Sequence, residues 1–188
     1  MTSDAREKTW VDAVLQYWFG ELGPDDWFTV KDETDKAITK RFLPLYRSLM
    51  ETVPEEAYGE PRAALAAIIV LDQFPRNMFR GEAEAFATDD LALALARNAL
   101  DRQFDAFLEE RMRHFLYMPF MHSEVLADQE RCVSLFKSLG DGEGGKYAIE
   151  HRDIIARFGR FPHRNKALAR ETTPDEKAFL AGHEGFGQ

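Results

Sequence analysis

Cysteine is almost missing from this chain. Cys132 stands alone among 188 residues, so no disulfide can form within one molecule and a reducing compartment, the cytoplasm, is the expected setting. Long apolar runs are equally scarce. The longest extends from Ala63 to Leu71, far short of the roughly 20 residues that a membrane-spanning helix needs. The start, Met1-Thr-Ser-Asp-Ala-Arg-Glu-Lys8, carries no apolar stretch of signal-peptide type. Positive charge is in deficit: 24 Lys and Arg face 33 Asp and Glu, a net charge of −9. Such a field repels polyanions, which excludes a general nucleic-acid binder. Membrane and nucleic-acid partners are therefore not expected.

Several chemical signatures are absent too. The sequence has no P-loop, no G-x-S-x-G elbow and no H-E-x-x-H pair. Gly140-Asp-Gly-Glu-Gly-Gly145 spells G-x-G-x-x-G. It follows a helical pattern instead of a strand, and Asp141 and Glu143 would repel a pyrophosphate, so it reads as a mobile loop. No cofactor is assigned by motif. Cys132 lies on the apolar stripe of its helix and reads as a buried structural thiol. Runs of alternating polar and apolar residues are missing as well, and that excludes an exposed sheet.

What remains is helical. Apolar residues make up 45% and charged residues 30%, and 15 Phe, 5 Tyr and 3 Trp can fill a core in one all-α domain covering residues 1–188. Ser3 can cap a first helix with Val11, Val14, Leu15 and Trp18 on one stripe and Gly20 at its end. Glu21 to Val30 reads as a turn. Asp32 can cap a second helix through Ile38, Phe42, Leu45 and Leu49, which Pro44 should kink or divide. Pro61 opens a third, apolar almost all round and stopped by Pro75, which belongs at the centre of the fold.

Further helices follow from Leu91 to about Arg102, from Phe107 to Pro119, and from a Ser123 cap to Leu139. Another runs from Lys146 to Phe158 and is closed by Gly159. Thr173-Pro174-Asp175-Glu176 is a capping box that starts the last. The expectation is eight to nine helices.

Asp72 is the most informative acid. At the end of the apolar helix it should be poorly solvated and near the negative pole of the helix dipole, so it needs a cation. Arg76, Arg80, Arg160 and Arg164 are the candidates, set in two loops that share a Phe-Pro exit, Asp72-Gln-Phe-Pro-Arg-Asn77 and Gly159-Arg-Phe-Pro-His-Arg-Asn165. Glu124 and Asp128 lie one turn apart on a helix flank, with Arg131 on the same line. They read either as a solvated flank or as a carboxylate pair turned into a cleft for acid–base work or cation binding. His122, Glu124 and Asp128, with His151 or His163, match no strong metal-ligand spacing. His151 sits on the inward stripe of its helix with Tyr147, Ile154, Ile155 and Phe158. His163, between Pro162 and Arg164, is the better candidate for a titrating group.

The segments Tyr17-Trp-Phe-Gly20, Leu71 to Asn77, Phe79-Arg-Gly81, Phe86-Ala-Thr-Asp89, Met118 to Glu124, Ala127 to Glu130 and His151 to Asn165 resemble the bacterial family called Domain of Unknown Function 924, over about residues 10–180. The resemblance implies an all-helical fold similar to tetratricopeptide-repeat arrays, right-handed and superhelical. It implies no activity, and no catalytic residue is carried over from it.

Two expectations about function follow. In the first, Arg76, Arg80, Arg160, Arg164 and Asp72 shape a polar pocket for a small anionic molecule, with Glu124, Asp128 and His163 as acid–base groups. In the second, a helical groove takes a peptide or protein, with exposed Trp10, Trp27 or Phe28 as anchors.

Overall fold

The computed structural model describes residues 9–140 and 142–183. Among them every regular element is helical and none is a strand. The Ser3 cap lies outside the described residues, and Thr9 caps the first helix instead by accepting from Asp12 N. In chain order the helices are α1 (Trp10–Gln16), α2 (Pro24–Trp27), α3 (Asp32–Glu51), α4 (Glu56–Gly59), α5 (Pro61–Ile68), α6 (Phe74–Met78), α7 (Asp89–Asp101), α8 (Glu110–His122), α9 (Leu126–Leu139), α10 (Gly142–Phe158) and α11 (Pro174–Leu180). Short 3-10 turns lie at Ala83–Phe86, Phe104–Phe107 and Pro162–Arg164.

The apolar helix is central, as its composition requires. Ala63 to Leu71 are each 4% exposed or less. The run packs against α1, α3, α7 and α8. An aromatic cluster closes around it: the rings of Trp18, Phe74, Phe115 and Trp27 meet at 5.0–6.1 Å between centroids. Trp27 also donates to the Trp18 carbonyl at 2.9 Å, so the segment expected to be a plain turn is a short helix that lids the core. A smaller, separate cluster is formed by Ile154, Ile155 and Phe161, with Phe158 and Phe179 against it.

Prolines account for the main departures from expectation. Pro75 does not stop the central helix. The chain widens into a π-helical turn over Ile69–Gln73, in which Phe74 N bonds the Ile69 carbonyl, and continues directly as α6. A proline displaces the carbonyl four residues before it. Here that is Leu71 O, and the Thr88 hydroxyl takes it at 2.5 Å. Asp72 O accepts from the Arg76 guanidinium. Asp72 therefore lies inside a continuous helical run and not at a C-terminal pole.

Pro44 does not divide α3 either. It faces solvent, as does Lys40, whose carbonyl it displaces, so water can satisfy that group while Ile38, Phe42, Tyr46 and Leu49 hold the buried face. Pro119 is likewise carried inside α8. At the first helix, Gly20 is passed within a π-helical turn, Tyr17–Glu21.

Other boundaries shift by less. Phe107 is 76% exposed and belongs to a 3-10 turn outside α8. Val125, not Ser123, is the N-cap of α9. From Gly142 the glycine-rich segment is helical and not a loop: α10 begins there and includes Glu143 in its first turn, where the dipole favours an acid. Tyr147 points outward at 50% exposure, while His151 on the same helix is buried.

Gly140 and Gly159 close α9 and α10 at φ of 76° and 68°. A Cβ at Gly159 would meet nothing within 4 Å, so its cost is conformational only. Gly159→Ala should therefore destabilise by roughly 1–2 kcal/mol, read from the urea midpoint. A shift within a few tenths of zero would show that this position tolerates a side chain.

Candidate functional site

A buried polar network lies where the main core meets the smaller cluster. Asp72, fully buried, accepts from His122 Nδ1 at 2.7 Å and from Gln73 Nε2 at 2.5 Å. Arg76 Nη1 stands 3.7 Å from the same carboxylate. Arg76 also forks onto Asp89 at 2.9 and 3.0 Å. From the distant 3-10 turn, Arg164 Nη1 reaches Asp89 at 3.2 Å. Asp89 thus bridges two arginines that are 88 positions apart in the chain. The Phe86 ring packs against both guanidiniums, 5.6 Å from Arg76 and 4.6 Å from Arg164, and Phe161 lies 4.7 Å from Arg164 on a third side. Two rings thus pack against Arg164.

Burial and charge set the protonation states. Burial alone would raise the Asp72 carboxyl, but His122 and Arg76 overcome it and hold the group ionised, well below the usual carboxylate range. Burial and the Arg76 charge push His122 down, against the pull of Asp72. Neutral His122 then donates from Nδ1 to Asp72, a carboxylate–imidazole dyad that fixes the tautomer. Its Nε2 has no hydrogen-bond partner among the described residues. Burial lowers Arg164 to about 10 even though Asp89 supports its charge, and Arg76 adds like-charge repulsion. His151 is pushed to about 3 by burial and then by His122, opposed by its bond to the Tyr147 carbonyl at 2.8 Å.

The network is not fully satisfied. Arg164 is 5% exposed, yet it makes a single hydrogen bond from a group with five N–H donors. The Nε atoms of Arg76 and Arg164 are both sealed without a partner among the described residues.

The remaining candidates have other partners. Arg80 forks onto Asp35 at 3.0 Å, with Asn77 beside it at 2.7 Å. Arg160 forks onto Glu176 at 2.7 and 2.9 Å. Glu124 is not on the α9 flank. It lies before the helix, accepts from Phe161 N at 2.7 Å and receives a fork from Arg170 at 2.8 and 3.1 Å. Asp128, buried, pairs with Arg97 and accepts from the Ser123 hydroxyl at 2.8 Å. His163 Nε2 sits 3.0 Å from His183 Nδ1, and His183 Nε2 lies 2.9 Å from Glu150. The structure therefore brings together Asp72, Arg76 and Arg164. It does not bring Arg80, Arg160 or Asp128 to them, and Glu124 and His163 are coupled to Arg164 only through charge.

The expectation that all four arginines lie in loops after helix ends also changes. Arg76 is inside α6, because no glycine breaks the chain there and the π-turn absorbs Pro75. Arg131, placed in line with Glu124 and Asp128, instead faces Asp101 at 3.9 Å. Among the described residues no group of three or more His, Cys, Asp and Glu is arranged to hold a metal ion. Cys132 is buried and its thiol is pushed up to about 12, which makes it inert.

Sequence reasoning missed Asp89, Arg170 and Glu176. Asp89 stands in the Phe86-Ala-Thr-Asp89 motif, but its place in the first turn of α7 gave it a sufficient local role. His122 was singled out only as a metal ligand, while its partner, Asp72, is 50 residues away. Two surface concavities lie apart from the Arg76–Arg164 network. One is formed by α10 with Phe179 and His183, the other by Arg160, Arg170 and residues 171–174.

No curated protein matches the chain. A solved structure of a protein of unknown function from Agrobacterium tumefaciens is similar at 40% identity and a TM-score of 0.88, covering 92% of this chain and 97% of that one. The family model described as a bacterial protein of unknown function (DUF924) matches residues 14–184. The chain belongs to the bacterial family DUF924.

Proposed function

We propose that this protein binds a small oxyanion at the Arg76–Arg164 pair. The observation that carries the reading is Arg164: a buried guanidinium, packed against Phe86 and Phe161, with one hydrogen bond of 3.2 Å. A buried charged group left this short of acceptors is costly, and a ligand oxygen would supply what the protein does not. Arg76, locked on Asp89, adds positive charge behind it.

Acid–base work, if the bound anion reacts, passes from Glu124, Asp128 and His163 to His122, because the first three are occupied by Arg170, Arg97 and His183. The single buried cysteine fits a reducing compartment and so a cytoplasmic protein.

The peptide-groove reading draws less support. Its anchors are largely spent: Trp27 is packed into the aromatic cluster, and Trp10 donates to Glu56. A tetratricopeptide-like right-handed array would still offer a concave face, with Phe28 at 64% exposure as the remaining anchor.

Thermal shift tests the anion reading. With sulfate or phosphate at about a hundred times its Kd, stabilisation of about 2.7 kcal/mol is expected. In a domain of this size that raises Tm by roughly 5–10 °C. Arg164→Ala should abolish the rise relative to its own baseline, and Arg160→Ala should keep it. Equal shifts in wild type and Arg164→Ala, or none in wild type, would remove the reading.

A further inference from the structure

Two histidines from different elements meet beside α10. His183, three residues past α11, has its Nδ1 3.0 Å from His163 Nε2 and its Nε2 2.9 Å from Glu150 of α10. The Phe179 ring packs against both imidazoles, 5.5 Å from His163 and 4.8 Å from His183. Arg164, from the 3-10 turn, works against a proton on His163, and Glu150 favours one. Lys146, Asp153 and Arg157 of α10 line the same concavity as Glu150 and His183. Asp153 is taken by Arg152 at 2.6 Å, and Arg157 lies over the Phe158 and Phe179 rings. Glu150 is therefore the carboxylate that serves the histidine pair.

Counting protons decides what this contact can do. An ionised carboxylate only accepts, so His183 donates Nε2–H to Glu150. In the neutral ring Nδ1 is then bare and accepts from His163 Nε2–H. One added proton leaves that bond in place. The rings still share a single N–H···N, now charge-assisted, and Glu150 matches the charge. A second proton puts an N–H on both facing nitrogens, so the bond is lost and two imidazolium ions oppose each other beside one carboxylate. We propose that the His163–His183 contact is an acid-released latch, which fastens the end of α11 to α10 until the pair takes its second proton. Burial and His183 push His163 below the ordinary histidine range, so the latch is closed at pH 7 and opens in mild acid. The start of α11 is held separately by its capping box and by Arg160 on Glu176. Only its last turn comes away. Phe179 then loses two ring neighbours, and the concavity it shares with Ile149, Ile154 and Phe158 widens. The latch does not depend on the oxyanion reading.

Hydrogen exchange on the full chain between pH 7 and pH 5, with rates divided by their intrinsic values, tests the latch. The Ala181 and Gly182 amides bond the Lys177 and Phe179 carbonyls at 3.1 Å. Their protection should fall at least tenfold across that range, since an opening that takes up one proton gains up to about tenfold per pH unit. Amides in the middle of α10 should keep theirs. The imidazole nitrogen shifts should show the pair titrating in two separate steps, with protection lost in the second. His183→Gln keeps a donor for Glu150 and an acceptor for His163 but cannot take the second proton, so its protection should stay flat. Should that variant not fold, exchange and nitrogen shifts of the wild type decide by themselves. Flat protection in wild type down to pH 5 would overturn the latch. So would loss of protection in the first step, or an equal loss in His183→Gln.

Discussion

Asp72→Ala is expected to lower the unfolding free energy by about 3–5 kcal/mol, the usual cost of removing one member of a buried ion pair. The substitution strips His122, Gln73 and Arg76 of a shared acceptor at a position with no exposure. Arg76 keeps Asp89, but His122 would face buried surroundings with an unpaired Nδ1–H. For a protein of this size the loss corresponds to a fall in Tm of roughly 6–20 °C. Urea denaturation of wild type and variant at pH 7 is the measurement. A loss below about 0.5 kcal/mol, the value for an ordinary surface change, would show that the network does not depend on this carboxylate.

Acid should have an effect of similar size through His151. Its folded pKa, about 3, lies below the unfolded value near 6.5. Folding therefore favours the neutral ring, and the unfolded chain binds the extra proton. The stability this contributes is fully present above pH 6.5 and is lost progressively as pH falls toward 3. At pH 4 about 2.5 units of the difference have been spent, or about 3 kcal/mol. His122, depressed in the same direction, adds to the slope. Urea midpoints at pH 7 and pH 4 should differ accordingly, and His151→Gln should show a visibly smaller difference than wild type. Parallel pH profiles for the two proteins would mean that His151 titrates in the fold as it does in water.

The helices were readable wherever a local rule decides them. Pro61 at a helix start, the Thr173–Glu176 capping box, and Gly140 and Gly159 in the left-handed region all work within a few residues. The prolines at 44, 75 and 119 were not readable, because their local cost is offset from elsewhere. The carbonyl that Pro75 displaces is taken by Thr88, 17 residues beyond Leu71, and the neighbouring one by the Arg76 side chain. The site follows the same division. Asp72, Arg76 and Arg164 stood out because an acid beside an apolar run and basic residues after Phe-Pro are unusual locally. Their pairing was hidden: Arg164 meets Asp89 across 75 positions, and His122 meets Asp72 across 50. Glu124 and Asp128 were joined by helical spacing that the chain does not adopt there, since α9 begins only at Leu126.

The most direct test of the oxyanion site is to see the anion in place. Crystals of the full chain grown or soaked with sodium selenate, measured at the selenium edge, should give an anomalous peak within hydrogen-bond reach of the Arg164 guanidinium. An Arg164→Ala crystal treated identically should lose that peak. A map with no peak at the network, or with peaks only on exposed side chains such as those around Arg160 and Arg170, would contradict the account.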